Sequence, residues 1–156
     1  MKKYILYGFG GHGKVIKDAI EKLGHQVIHI FDNENPYDKN IYPESEIIIA
    51  IGNNEIRDKI SKEISHKLGV IIHPDASIAL DAIIEEGTVI LANAVIQSGV
   101  SIGKNCIINA NVTIDHEVII NDFVSVYPGT YIGGNCEITS FKTINPNTTI
   151  LRNAII

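Results

Sequence analysis

From His73 to Ile156 an apolar residue falls on every sixth position. Cut into hexapeptides, the stretch reads HPDASI, ALDAII, EEGTVI, LANAVI, QSGVSI, GKNCII, NANVTI, DHEVII, NDFVSV, YPGTYI, GGNCEI, TSFKTI, NPNTTI and LRNAII. The sixth place is Ile in every line but one, where it is Val126, and the fourth place is mostly small (Ala76, Ala82, Thr88, Ala94, Val100, Cys106). A fixed six-residue period marks a parallel β-helix, in which each hexapeptide forms one flat side of a triangular coil and the inward residues stack into a column. The third place carries a second message. Eleven of its fourteen occupants are Asn, Asp or Gly, the residues that accept a positive φ at least cost, so the third place is the corner of the triangle. Glu117, Phe123 and Phe141 break that rule, and local rules tend to break where function or strain intervenes.

Before residue 73 the pattern changes. Tyr4–Tyr7 is a short β-prone run; Val15, Ile16, Ala19, Ile20 and Leu23 then recur at helical spacing, and Gly24 fits a helix stop. Residues 26–31 (QVIHIF) read as a strand, 33–45 as a loop, and 46–51 (EIIIAI) as a strand buried on both faces. A helix over about 55–68 and a last strand over 70–72 complete a β-α-β…β-α-β unit. The expected fold is a small N-terminal α/β, Rossmann-like domain with a parallel sheet over 1–72, followed by the β-helix over 73–156.

The first strand runs into Gly8-Phe9-Gly10-Gly11-His12-Gly13, which fits G-x-G-x-x-G, with an acidic Asp32 roughly 20 residues on. Such glycines let a ligand approach the backbone, and a helix N-terminus offers free N–H groups to a phosphate. About seventy residues hold little more than one half of a dinucleotide fold. A nucleotide or nucleotide-sugar phosphate is therefore favoured over NAD, with a purely structural turn as the plain alternative. His12 is either a donor to that ligand or a surface residue at a helix start. In the repeat, His116 stands at the Glu117 corner. An imidazole can take a proton near neutrality, and Glu117 or Asp115 beside it can orient it; otherwise the three are solvated polar residues. One 18-residue coil further on lies Gly134, beside Gly133, leaving room for a ligand next to the histidine.

Composition narrows this picture. With 156 residues, 45% hydrophobic and 20% charged, and a net charge of −5, the chain reads as an ordinary globular protein and not as a binder of nucleic acid. No run approaches the length of a membrane span or a signal peptide, so no membrane partner and a cytoplasmic location are expected. Cys106 and Cys136 both take the small inward place, on different faces and levels, and are expected to be free. The repeat offers only His73 and His116, too few for a three-histidine metal site, so no metal is expected.

The stretches YGFGGHGKV (7–15), FDN (31–33), IAIGNNEIR (49–57) and IDHE (114–117), set in the hexapeptide column, resemble the left-handed β-helix sugar N-acetyltransferases of the sialic-acid and bacillosamine type. The resemblance is nearest to the enzymes acting on a UDP-4-amino-4,6-dideoxy sugar. It implies acetyl-CoA as co-substrate, a nucleotide amino-sugar as acceptor, and a homotrimer with active sites between subunits. His116 would be the general base and Glu117 its polarising partner. Gly10, His12, Gly13, Asp32, Asn33, Gly52, Asn53 and Asn109 would bind the nucleotide sugar. Ser125, at the place of a second family histidine, and Gly133 and Gly134 would line the acetyl-CoA site. An O-acetyltransferase, or a nucleotide-sugar-binding scaffold that has lost acyl transfer, are the alternatives. The TSFKTI line, with Phe141 at the corner and Lys142 inward, reads as the place of a missing hexapeptide. Together with an end at Ile156 in mid-beat, it predicts weakened acetyl-CoA binding.

Overall fold

The computed structural model describes residues 1–156. The N-terminal unit is a three-stranded parallel sheet of order β2-β1-β3, built from β1 (Lys3–Tyr7), β2 (Gln26–Phe31) and β3 (Glu46–Ile49). Helix α1 (Gly11–Lys22) packs Ile16, Ala19 and Ile20 onto it. Helix α2 (Asn54–Glu63) follows β3, starting on the Asn53 side chain, whose oxygen accepts the Ile56 amide at 2.9 Å. It ends five residues before the Leu68 expected from sequence. Beyond Glu63 the chain turns extended, and Leu68 bridges Ile47 at the sheet edge. The strand at 71–72 also differs from expectation. It pairs with Val89–Ile90 and is the first rung of the β-helix rather than a fourth strand of the N-terminal sheet.

The remainder is a parallel β-solenoid of two-residue strands on three faces, a left-handed β-helix. The first face stacks Ile71–Ile72, Val89–Ile90, Ile107–Ile108, Ser125–Val126 and Thr143–Ile144. The second stacks Ser77–Ile78 through Thr149–Ile150, and the third Ile83–Ile84 through Glu137–Ile138. The sixth-place residues and the small fourth-place ones form one column of 18 buried side chains, including Cys106 and Cys136. Both cysteines are free. The fifth-place residues of the first face point the other way, and Ile71 and Val89 share a core with Tyr4, Leu6 and α1. The α/β unit is thus seated on that face.

The third place is the corner. From Gly87 to Asn153 every third-place residue has φ between 52° and 78°, Glu117, Phe123 and Phe141 included. Asp75 and Asp81 fall outside this set. Asp81 instead uses its carboxylate to accept the Ser98 hydroxyl (2.7 Å) and the Gly99 amide (3.1 Å) one coil on. The beat does not break at Phe141 and Lys142. Ser125 and Val126 stay in register with Thr143 and Ile144, and Glu137 bridges Ile155. Lys142 is exposed.

Candidate active site

The glycine turn is dictated by packing at two of its positions. Gly8 has φ +97°, and a Cβ there would lie 2.5 Å from Ile51 Cδ1; a Cβ on Gly13 would lie 2.6 Å from the Gly8 carbonyl. Gly10 and Gly52, by contrast, face open space, so nothing in the protein itself demands their bareness. Both line cavities. The first, about 500 Å³, is walled by Tyr7, Gly8, Phe9, Gly10 and Ile51 and edged by Asp32, Asn33 and Glu34. Asp32 Oδ1 already accepts the amides of Glu34 (3.0 Å) and Asn35 (2.9 Å), which folds the rim loop around its carboxylate. An aromatic, largely apolar cleft with polar groups at one end has the chemistry of a base-and-ribose pocket.

A second cavity, about 220 Å³, opens on the other side of Ile51-Gly52, against the first face of the β-helix. His12, Gly52, Asn109, Ser125 and Tyr127 line it, with Val15, Leu91 and Ile107 as apolar wall. His12 Nε2 is shielded from water and has no partner in the protein. Burial, and then the nearby Arg57 cation, push its pKa down to about 4. The ring is therefore neutral at pH 7, and a buried nitrogen without a partner is costly unless a ligand supplies one. Of the two expectations for His12, ligand donor or surface residue, the structure shows a partly buried ring that lines this cavity. Ser125 stands here, with its hydroxyl donated to Asn54 Oδ1 at 2.7 Å. Within one chain it lies with His12 and Asn109 and not with Gly133 and Gly134.

His116 lies at the edge between the second and third faces. Its Nδ1 is 3.2 Å from Glu117 Oε2, close enough to donate to the carboxylate and leave Nε2 as the acceptor nitrogen. The corner backbone is clamped from the other side. Asp115 accepts the His116 amide at 2.8 Å and the Tyr131 hydroxyl at 2.9 Å. Those two bonds, the amide first, hold the Asp115 carboxyl below its usual range, and the Tyr131 phenol is raised by the same contact. Gly134 lies directly over the imidazole, where a Cβ would come 2.7 Å from Nε2. The space is a notch of about 360 Å³ walled by His116, Gly134, Tyr131, Leu151 and Arg152. Gly133 is filled from behind, since its Cβ would meet the Arg152 amide at 2.7 Å. An imidazole oriented in this way and facing an open notch can remove a proton from an incoming nucleophile.

The sequence-predicted residues thus fall into three groups: Gly10, Asp32 and Asn33 at the first cavity; His12, Gly52, Asn109 and Ser125 at the second; His116, Glu117, Gly133 and Gly134 at the notch. Gly13 packs against the Gly8 carbonyl, and Asn53 caps α2 and lines a further cavity with Gly52, Tyr127 and Phe141. Sequence reasoning missed Tyr131, Arg152, Asn54 and Arg57. Tyr131 lies one coil on from Thr113, two residues before Asp115, and Arg152 two coils on from His116, so both could have been found by stepping along the repeat; Arg57 lies inside a motif singled out above but carried no role there. No group of three His, Cys, Asp or Glu is placed to hold a metal ion, and no helix is long and apolar enough to cross a membrane.

Residues 3–64 match the PglD N-terminal domain family, and residues 81–116 match the bacterial transferase hexapeptide (six repeats). The acetyltransferase domain of PglB from Neisseria gonorrhoeae aligns over 100% of this chain and 91% of its own, at 29% identity and a TM-score of 0.74. The same domain solved in complex with acetyl coenzyme A gives 28% identity and 0.76, covering 99% and 95%. A mutant perosamine N-acetyltransferase from Caulobacter crescentus, in complex with CoA and GDP-perosamine, shares the fold at 18% identity and a TM-score of 0.72, covering 100% and 94%.

Proposed function

We propose that this protein, a hexapeptide-repeat sugar N-acetyltransferase with a PglD-type N-terminal domain, uses His116 to acetylate the amino group of a UDP-linked 4-amino-4,6-dideoxy sugar. The observation that carries the reading is the Glu117-oriented His116 ring beneath the bare Gly134. The nucleotide takes the cavity of Gly10, Asp32 and Asn33, and the sugar takes the smaller one beside His12 and Asn109. A second protomer of a homotrimer brings its notch to that sugar, with acetyl-CoA running past its Gly133 and Gly134. Ser125 then reaches the coenzyme only across the protomer boundary. Support for acetyl-CoA as donor comes from the PglB domain, solved with that molecule at 28% identity. Support for UDP rests on the likeness to the Pgl-type enzymes.

The step balances without a metal. The amine lone pair attacks the thioester carbonyl carbon, and His116 Nε2 takes the proton that the nitrogen must lose as the C–N bond forms. The tetrahedral intermediate collapses with cleavage of the C–S bond. The proton held on the imidazolium, stabilised by Glu117, passes to the departing thiolate of CoA. A thioester-release assay across UDP-, GDP- and dTDP-4-amino-sugars tests this, with His116→Ala as control. Release with the UDP sugar and its loss in the variant are the expected result. Release that survives His116→Ala, or none with any amino-sugar, overturns it; transfer to a hydroxyl instead would point to O-acetylation.

A further inference from the structure

Arg57 is the largest fully buried side chain, at 1% exposure, and no carboxylate pairs with it. Its fork is saturated by neutral acceptors from both halves of the protein. Nη1 donates to the carbonyls of Ile51 (2.8 Å) and Gly52 (3.2 Å), behind the two cavities. Nε donates to the Asn105 carbonyl (2.8 Å), and Nη2 to Asn54 Oδ1 (2.8 Å), Ser125 Oγ (3.3 Å) and the Phe123 carbonyl (3.4 Å). Asn105 and Phe123 are β-helix corners one coil apart. Asn54 extends the network a coil further, donating to the carbonyls of Phe141 (2.9 Å) and Lys142 (3.2 Å) and to Thr143 Oγ1 (3.1 Å).

An unpaired buried cation is among the most expensive groups to keep. Burial lowers even this guanidinium to about 10. An apolar helix residue would seat α2 on the β-helix at less cost, so stability alone gives no reason for the arginine. What the fork alone does is fix the Ile51-Gly52 backbone against two β-helix corners. Ile51 walls the larger cavity, Gly52 the smaller, and Ser125 lies on the far side of the smaller one. We infer that Arg57 is a positioning residue: it sets the registry between the nucleotide cavity and the sugar cavity, so that a ligand spanning both finds them at a fixed separation. This rests on the reading of those cavities proposed above.

The geometry separates two ligands. UDP alone needs only the larger cavity, whose walls come entirely from the N-terminal unit. The intact nucleotide amino-sugar needs both. Titration calorimetry on wild type, Arg57→Met and Arg57→Lys, with UDP and with the nucleotide amino-sugar, reads the difference. Both variants are expected to bind UDP within about twofold of wild type and the nucleotide sugar about tenfold or more weakly. Arg57→Lys is expected to lose as much as Arg57→Met, because an ammonium keeps the charge and not the fork. Loss of a merely structural strut would weaken both ligands together with the melting temperature. Should Arg57→Met fail to fold, Asn54→Ala removes one acceptor of the fork at a residue that lines neither cavity and leaves the carbonyl contacts intact; the same split, of smaller size, is then expected. Variants that bind the nucleotide sugar as wild type does, or lose UDP equally, overturn this inference alone. A wild-type protein that binds UDP but no nucleotide amino-sugar overturns the cavity assignment, and the inference with it.

Discussion

Gly134→Ala is the sharpest perturbation of the notch. Gly134 is not among the positive-φ residues, so alanine suits the backbone. The added Cβ would stand 2.7 Å from His116 Nε2, 2.8 Å from Cε1 and 3.2 Å from Cδ2. Unstrained contacts between such atoms lie near 3.5 Å, so the ring must retreat by about 0.8 Å or swing outward. His116 can do so cheaply, because its side chain is half exposed and its one tie is the 3.2 Å contact to Glu117. Stability should therefore hold, with the reduced freedom of the unfolded chain contributing a few tenths of a kcal/mol in favour. Catalysis should not hold. A misplacement of about 1 Å costs on the order of 100-fold, or about 2.7 kcal/mol of transition-state stabilisation. Steady-state thioester release beside a thermal melt checks both halves. Activity within about twofold of wild type would show that the base does not work through this notch, and a loss accompanied by a large fall in Tm would show that the glycine is structural.

Three further outcomes follow from the same geometry. The His12 ring sits at about 4 rather than the ordinary 6.5, so the unfolded chain binds the extra proton over that interval and stability falls as pH drops from 6.5 towards 4. The loss is of the order of 3 kcal/mol at the lower end, and urea melts of wild type against His12→Phe should show it in wild type alone. Glu117→Gly should leave Tm unchanged or slightly higher, because it relieves a left-handed corner worth about 1 kcal/mol, while kcat falls with the loss of the imidazole's partner; a Tm drop of several degrees would refute this. Cys106, buried and pushed up to about 12, should resist iodoacetamide in the native protein and react only on unfolding, as mass spectrometry under native and denaturing conditions would show.

How much of this was legible in the sequence depends on whether a residue acts within its own coil. The β-helix, its column and its corners follow from a six-residue period, since each place in the hexapeptide has one environment. The corner at Glu117 and the histidine beside it are visible for the same reason. The continuous register past Phe141 does not test the missing hexapeptide, since loss of a whole six leaves the period intact. The end of α2 was misread because residues 64–68 keep an apolar pattern that serves pairing with Ile47 rather than a helix face. Arg57 and Asn54 were invisible in role. Their partners on the β-helix lie 48 to 89 residues away in the sequence, and nothing local says that a polar helix residue will be fully buried.

The three corner exceptions resolve into two kinds. Phe123 and Phe141 are stacked one coil apart, ring centroids 5.3 Å and planes 7° from parallel, so each ring covers the other and helps offset the strain of its backbone. Glu117 has no such return. Its φ of 57° costs about as much, its side chain is 65% exposed, and its one contact is the His116 ring. An exposed contact of this kind is worth less than the strain it accompanies. Asparagine, which occupies six of the other left-handed corners, would hold the corner more cheaply but would bring no charge to the imidazolium. Stability therefore favours replacing Glu117, whereas the base proposed above, which must carry a proton through the reaction, favours keeping it.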